Sequence, residues 1–228
     1  MRKAVATALA PVGCTLVGGS LADTGKNLVL TGVAGTGSPV DALHRAVTDA
    51  APTATADWGG IATFTDPQSN SYCRALDLVR PIATPFGAPR RGFSLGIQGG
   101  HTTLADGDPL VFRLTMPDFG GWLTVDYFAS DGSVAHLYPT AADPAQAYAG
   151  GQTVVLGAKA GWTAGTPYGR DMILAIASSE LLLKGQRSQN EPSADAYLAA
   201  LGHALEAART AGAALDAATL VLETHAKR

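Results

Sequence analysis

Cysteine is nearly absent: Cys14 and Cys73 are the only two in 228 residues, and neither sits in a C-x-x-C or Cys/His spacing that holds zinc. Charge is scarce as well. Asp, Glu, Lys and Arg make up 15% of the chain, and 16 basic residues against 19 acidic ones leave a net charge of −3. Nucleic acid and anionic lipid need a concentrated positive field, so neither is expected as a partner. Long apolar runs are missing too. Residues 172–177 and 219–222 are among the longest, against the roughly 20 residues a membrane-crossing helix requires, so a soluble chain without a transmembrane segment is expected.

Catalytic signatures are equally hard to find. Asp118-Phe119-Gly120 matches the magnesium-binding tripeptide of protein kinases, but the strand lysine, the His-Arg-Asp loop and the Ala-Pro-Glu anchor are missing, and His44-Arg45 is followed by Ala46. The tripeptide reads as a turn between strands. Gly32, Gly35 and Gly37 lack the Gly-Lys-Ser/Thr of a phosphate loop, and Ser20, Ser178 and Ser179 lack a nucleophile-elbow context. His44, His101, His136, His203 and His225 are scattered without metal-ligand spacing. Asp106-Gly107-Asp108 offers two carboxylates where calcium needs six or more oxygens. No metal and no cofactor is expected.

What is present is material for a core. Hydrophobic residues reach 46%, and 27 glycines with 13 prolines, spread along the chain, suit short strands and tight turns rather than a helical bundle. Residues 4–12 read as an amphipathic helix with Val5, Leu9 and Val12 on one face. Strands follow at 15–17 and 28–31 around the turn sequence Asp23-Thr24-Gly25, then a flexible loop over 32–38 that ends in a Ser38 N-cap and Pro39. A helix over 40–50 stopped by Pro52, a strand over 58–64 and a helix over 72–82 complete the order α-β-β-α-β-α.

The breakers of 85–92, with Arg90-Arg91, mark a boundary, giving expected domains 1–88 and 89–228. Beyond it, 93–98, 109–116, 122–128, 134–138, 153–156 and 172–177 read as strands between Gly- and Asp-rich turns, a spacing that predicts an antiparallel β-sandwich. Asp131-Gly132 is the hairpin signal between 122–128 and 134–138. A polar linker over 185–192 precedes a helix capped by Ser193, striped with Tyr197, Leu198, Leu201, Leu205 and Ala208 and stopped by Gly212; a strand over 219–224 closes the chain. The fold class is therefore α+β, and the acidic excess concentrates in 93–179, with seven acidic residues against three basic.

One constellation stands out. If 122–128 and 134–138 pair as a hairpin, alternation brings Asp126 and His136 to one face together with Tyr138, and Tyr168, Arg170 and Asp171 precede the strand at 172. Such a patch can bind a polar ligand; exposed cross-strand pairing, worth ~0.2–1 kcal/mol a pair, is the plainer reading.

The cysteines and the N-terminus bear on compartment. Met1-Arg2-Lys3, the apolar stretch 4–12 and Gly13-Cys14 resemble a signal segment ending in a lipid-modified cysteine, although Pro11 stands where such sites favour Leu or Val. Pairing of Cys14 with Cys73 would close a loop of about 60 residues, worth ~4 kcal/mol, and would fit an oxidising, periplasmic setting. Two buried free thiols in a cytoplasmic protein are the alternative.

Two stretches resemble known families. The order of elements over residues 4–64, with Leu28-Val29-Leu30-Thr31-Gly32-Val33-Ala34-Gly35 leading into a capped helix, resembles the BON-type domain of bacterial envelope proteins, which implies a non-catalytic interaction role. Residues 93–183 look like a bacterial domain of unknown function. The resemblance rests on 120–128, on Asp131-Gly132, on Leu137-Tyr138-Pro139 and on Pro167-Tyr168-Gly169 with Ile176-Ala177-Ser178. It implies a place at the C-terminal end of serine/threonine kinases or of envelope- and secretion-associated proteins, and the first part of the chain, with Cys14 and 72–77, is similar to the region preceding that domain in such kinases. The expected function is a non-catalytic, extracytoplasmic binding or sensing module for a protein or cell-envelope ligand. A structural accessory of a secretion apparatus, and a hydrolase using His136 as base with Asp126, are the alternatives. Oligomeric state is not legible.

Overall fold

The expected opening order of helix, hairpin, helix, strand and helix is found in the computed structural model, which describes residues 1–22, 26–67, 70–89, 91–183 and 188–227. The turn at 23–25, Arg90 and residues 185–187 of the expected linker lie outside the described residues. Helix α1 (Arg2–Leu9) buries Val5 and Leu9. Strands β1 (Thr15–Leu21) and β2 (Asn27–Gly35) pair antiparallel, and after helix α2 (Ser38–Ala50) strand β3 (Thr55–Phe64) joins β2 in parallel. Helix α3 (Ser71–Val79) follows. Pro39 sits in the first turn of α2, but Gly37 is its N-cap, one residue earlier than expected.

The expected flexible loop from Gly32 is instead strand. Gly32 pairs with Ile61 and Gly35 with Phe64, and these glycines serve close approach. A Cβ on Gly32 would stand 2.1 Å from the Leu16 carbonyl oxygen, and one on Gly35 would stand 2.6 Å from the Cys14 sulfur. That sulfur is bonded to Cys73, so a disulfide ties the start of β1 to α3. The Cys14 amide also donates to Asp77 Oδ1 at 2.9 Å.

The second half supplies strands β4 (Ser94–Ile97), β5 (Thr103–Ala105), β6 (Phe112–Thr115), β7 (Gly121–Phe128), β8 (Val134–Tyr138), β9 (Ala147–Tyr148), β10 (Thr153–Leu156), β11 (Arg170–Ser178) and β12 (Asn190–Glu191), then helix α4 (Asp195–Thr210) and β13 (Leu215–His225). Strands β10, β6 and β4 make a small sheet; β12, β8, β7, β11, β13 and β5 make a larger one in that order, with β9 paired to β7. The pairing is antiparallel throughout except at β13 and β5, which run parallel. β5, β9 and β12 were not legible as strands: each has only two or three residues, too few to show a period of two. The architecture is mixed, with four helices among the described residues and strands predominating.

Three apolar clusters stack through the molecule. Helices α1 and α2 cover one face of the first sheet through Val5, Leu9, Leu28, Leu30, Leu43 and Val47. Its other face, with Leu16, Val33 and Phe64, joins Tyr72 and Leu76 of α3, the Tyr197–Leu205 stripe of α4 and Phe128, Met172 and Leu174 of the large sheet. This middle cluster unites residues from both sides of the expected boundary at 88. The far face of the large sheet, with Val125, Ile173 and Leu222, packs against Phe112, Leu114 and Leu156 of the small sheet.

The disulfide is expected to resist alkylation until the chain is denatured and reduced. Its loss removes about 4 kcal/mol of stability by the chain-entropy model, read as the difference in denaturant unfolding between oxidised and reduced protein; equal unfolding curves would show that the pair contributes nothing.

Candidate functional site

The β7–β8 hairpin turns at Asp131-Gly132, where the Asp131 carboxylate accepts from Ser133 N and Oγ at 2.9 and 2.6 Å and Gly132 takes φ +90°. These Ser133 bonds hold the Asp131 carboxyl below the ordinary carboxylate range. Asp126 then lies directly across from His136. Asp126 is fully buried, and its two oxygens are shared out: Oδ1 meets His136 Nδ1 at 2.6 Å, and Oδ2 accepts from the Tyr197 hydroxyl of α4. His136 Nε2 meets Glu191 Oε1 of β12 at 3.1 Å, and the His136 ring packs edge-on to Tyr197 with centroids 4.5 Å apart. Main-chain pairing reinforces the join, because the His136 amide donates to the Gln189 carbonyl at 2.8 Å.

Both imidazole nitrogens thus face carboxylates. A neutral ring has only one N–H, so the arrangement favours the doubly protonated cation. Burial alone would depress the His136 pKa; the hydrogen bonds and charges of Asp126 and then Glu191 outweigh it and raise the pKa above its usual value. In that cation no lone pair is left on the ring to accept a proton. Beside the ring lies a cavity of about 410 Å³. Its lining combines polar residues, among them Thr124, Asp126, His136 and Tyr138, with apolar ones, among them Leu181 and Leu183.

The other residues of the expected patch are placed differently. A register shift between Val125 and Asp126 sets Val125 opposite Tyr138, and this bulge turns the Tyr138 ring into the opposite core, against Tyr148 with centroids 6.1 Å apart. Its hydroxyl accepts from Gln146 N at 3.1 Å and meets Tyr148 Oη at 3.0 Å. The Tyr138 ring thus packs away from His136, while Tyr138 still lines the cavity beside it. Asp171 is also fully buried, but on the face of Tyr127, where it accepts from Tyr127 Oη, Ser130 N and Thr224 Oγ1 at 2.5, 2.9 and 3.1 Å. Burial raises its pKa despite these bonds. Arg170 reaches across to the Thr63 carbonyl at 3.0 Å and to Glu223 at 3.5 Å, and Tyr168 is exposed in the preceding loop. Of the six expected residues, Asp126, His136 and Tyr138 line one cavity, and Tyr168, Arg170 and Asp171 do not.

Glu191 and Tyr197 complete the cluster and were not singled out from sequence. Tyr197 was placed on the buried stripe of its helix, but nothing there announces that its hydroxyl meets a carboxylate. Glu191 falls in a polar stretch with no pattern at all. Among the described residues no group of three or more His, Cys, Asp or Glu side chains is arranged to hold a metal ion.

Because His136 binds its proton more tightly folded than unfolded, its contribution is complete below about pH 6.5 and is lost as pH rises through the raised folded value. Denaturant unfolding at a series of pH values should show stability falling on the alkaline side of neutrality, and a His136→Gln variant should flatten that slope. His136→Ala should cost about 3–5 kcal/mol by leaving buried carboxylates uncompensated; a cost under about 1 kcal/mol, typical of an exposed pair, would contradict the assignment.

The comparisons with known proteins address the strands that build this site. No curated protein and no solved structure matches the chain. The family model of a domain of unknown function, DUF4384, matches residues 103–180, from β5 through the end of β11, a span that contains Asp126 and His136 and stops short of Glu191 and Tyr197.

Proposed function

We propose that the chain is a non-catalytic, extracytoplasmic binding or sensing module, and that the cavity beside His136 is its ligand site. The observation that carries this reading is the double engagement of the imidazole: a histidine held between two carboxylates is a fixed positive centre in a neutralising frame, suited to orienting a ligand rather than to moving protons. The cavity combines apolar groups from Leu181, Leu183 and two prolines with polar ones from Thr124, Asp126, His136 and Tyr138. That composition fits a small amphipathic ligand or a side chain of a protein partner.

The Cys14–Cys73 disulfide, which favours an oxidising environment, supports the extracytoplasmic part of this reading. No helix among the described residues is long and apolar enough to cross a membrane. Residues 2–9 form a helix whose Val5 and Leu9 are in the core, and Cys14 is committed to its partner, which supports the amphipathic first helix over a lipidated cysteine. Association with a bacterial Ser/Thr kinase or a cell-envelope system rests on the resemblance of 93–183 alone, and a BON-like role on the order of elements in the first half.

A fragment library screened by ligand-observed NMR against the full chain tests the site. Hits should lose affinity about tenfold or more in Ala145→Trp, which fills the cavity, while the unfolding free energy stays within about 1 kcal/mol. Hits that bind this variant unchanged would remove the cavity from consideration. Ester or peptide hydrolysis that disappears in His136→Gln would replace the binding module by a hydrolase.

A further inference from the structure

A second cleft, of about 610 Å³, is lined by neither His136 nor Asp126. Three strand edges contribute to its walls, beside helix α1 and residues 80–88. Strand β1 ends the first sheet, β4 ends the small sheet, and the first part of β13 has no neighbour opposite β11 because β5 pairs only from Glu223 onward. Residues of all three, Thr15–Gly19, Ser94–Leu95 and Ala217–Thr219, line the same cleft.

The hydrogen-bond phase of each strand fixes which main-chain groups face it. In β1 the even-numbered residues pair with β2, as the flanking bonds Gly35 N to Cys14 O and Ala22 N to Asn27 O show, so Val17 and Gly19 turn their amides outward. Gln98 N to Val111 O sets the phase of β4 and turns Leu95 outward; Thr224 N to Gly169 O sets that of β13 and turns Thr219 outward. The outward groups of Gly19 show what this edge accepts, because its carbonyl already takes the Gly87 amide of the linker at 2.9 Å. Among the described residues, Val17, Leu95 and Thr219 have no such main-chain partner on that side. Strand β13 is buried at residues 215–216 and 221–222 and half-exposed between them over 217–220, where it borders the cleft. Gly18, Gly19, Ala217 and Ala218 keep the walls low, so a chain can reach the main-chain groups.

The charge at the mouth selects the occupant. Arg91 stacks over Phe119 at 5.8 Å and donates to the Leu215 carbonyl at 3.1 Å; among the described residues it has no carboxylate partner. Arg80 sits in the same wall, bonded to Asp77 and the Ala10 carbonyl. The one carboxylate in the cleft, Asp216, is taken up by Thr84 N, Thr84 Oγ1 and Ala217 N at 3.0, 2.8 and 2.9 Å. We infer that this cleft binds an extended peptide segment of a partner protein by strand addition, with an acidic residue or a C-terminal carboxylate of that segment on Arg91.

A phage-displayed random dodecapeptide library panned on the full oxidised chain tests this. Selected peptides should combine β-branched residues with Asp, Glu or a free carboxyl terminus at one end. In fluorescence anisotropy with the unaltered protein, N-methylation of every second residue should weaken binding about tenfold or more in one register and not in the other, since each lost main-chain bond to a strand edge removes a directional contact. Arg91→Glu should weaken the same peptides, and Val17→Pro, which removes an amide on the open side of an edge strand, should do so without unfolding the chain. A library that yields no binder would overturn the inference. So would binders indifferent to N-methylation and to Arg91→Glu, and so would a concentration-dependent dimer abolished by Val17→Pro, which would make a second copy the occupant.

Discussion

A carboxylate with no access to solvent has to be met by donors or it does not stay charged, and Asp126 sets that demand at the centre of the large sheet. The donors come from different elements: His136 from the neighbouring strand, Tyr197 from a helix that follows much later in the chain. His136 in turn fixes Glu191 of the two-residue edge strand. One side chain therefore decides how the last helix sits over the sheet and how the sheet's edge is finished. Removing any one partner leaves charge buried without compensation, a far larger penalty than the net worth of the pair itself.

The same contact continues as a line of rings. Tyr197 lies against Phe128 at 6.2 Å, Phe128 against Tyr72 at 6.4 Å and Tyr72 against Phe64 at 5.4 Å, running from the large sheet through the third helix to the first sheet. Tyr72 is also anchored by its hydroxyl to the Arg170 carbonyl at 3.0 Å, and burial holds that hydroxyl far from ionising. With the neighbouring Cys73 covalently bound to the start of the first sheet, the two halves of the chain share one core.

Much of this was legible where a side-chain pattern had room to repeat. The stripe of Tyr197, Leu198, Leu201, Leu205 and Ala208 is the buried face of the last helix, and Asp131-Gly132 is a turn of the expected hairpin. The pairing of Asp126 with His136 followed from counting outward from that turn. The count failed two residues on, because a bulge adds a residue to one strand and reverses the face of Tyr138. Glycine misled at Gly32–Gly35: composition suggests freedom there, whereas the residues are small because backbone and sulfur come too close for a Cβ. Asp171 and Arg170, adjacent in sequence, point to opposite environments, and no local pattern distinguishes the buried one. Glu191 had no signal, since its role depends on where a distant strand ends.

The position of β13 has a bearing on how the chain is made. It runs between β11 and β5, with nine residues of β11 in register with it. During synthesis β11 emerges with an apolar sequence and a vacant flank, and it stays so until α4 and then β13 have left the ribosome. A strand as apolar as Met172–Ala177 waiting with an open edge is a target for mispairing with other nascent chains. The order of elements along the chain therefore leaves the most apolar strand half-paired until the last one is made.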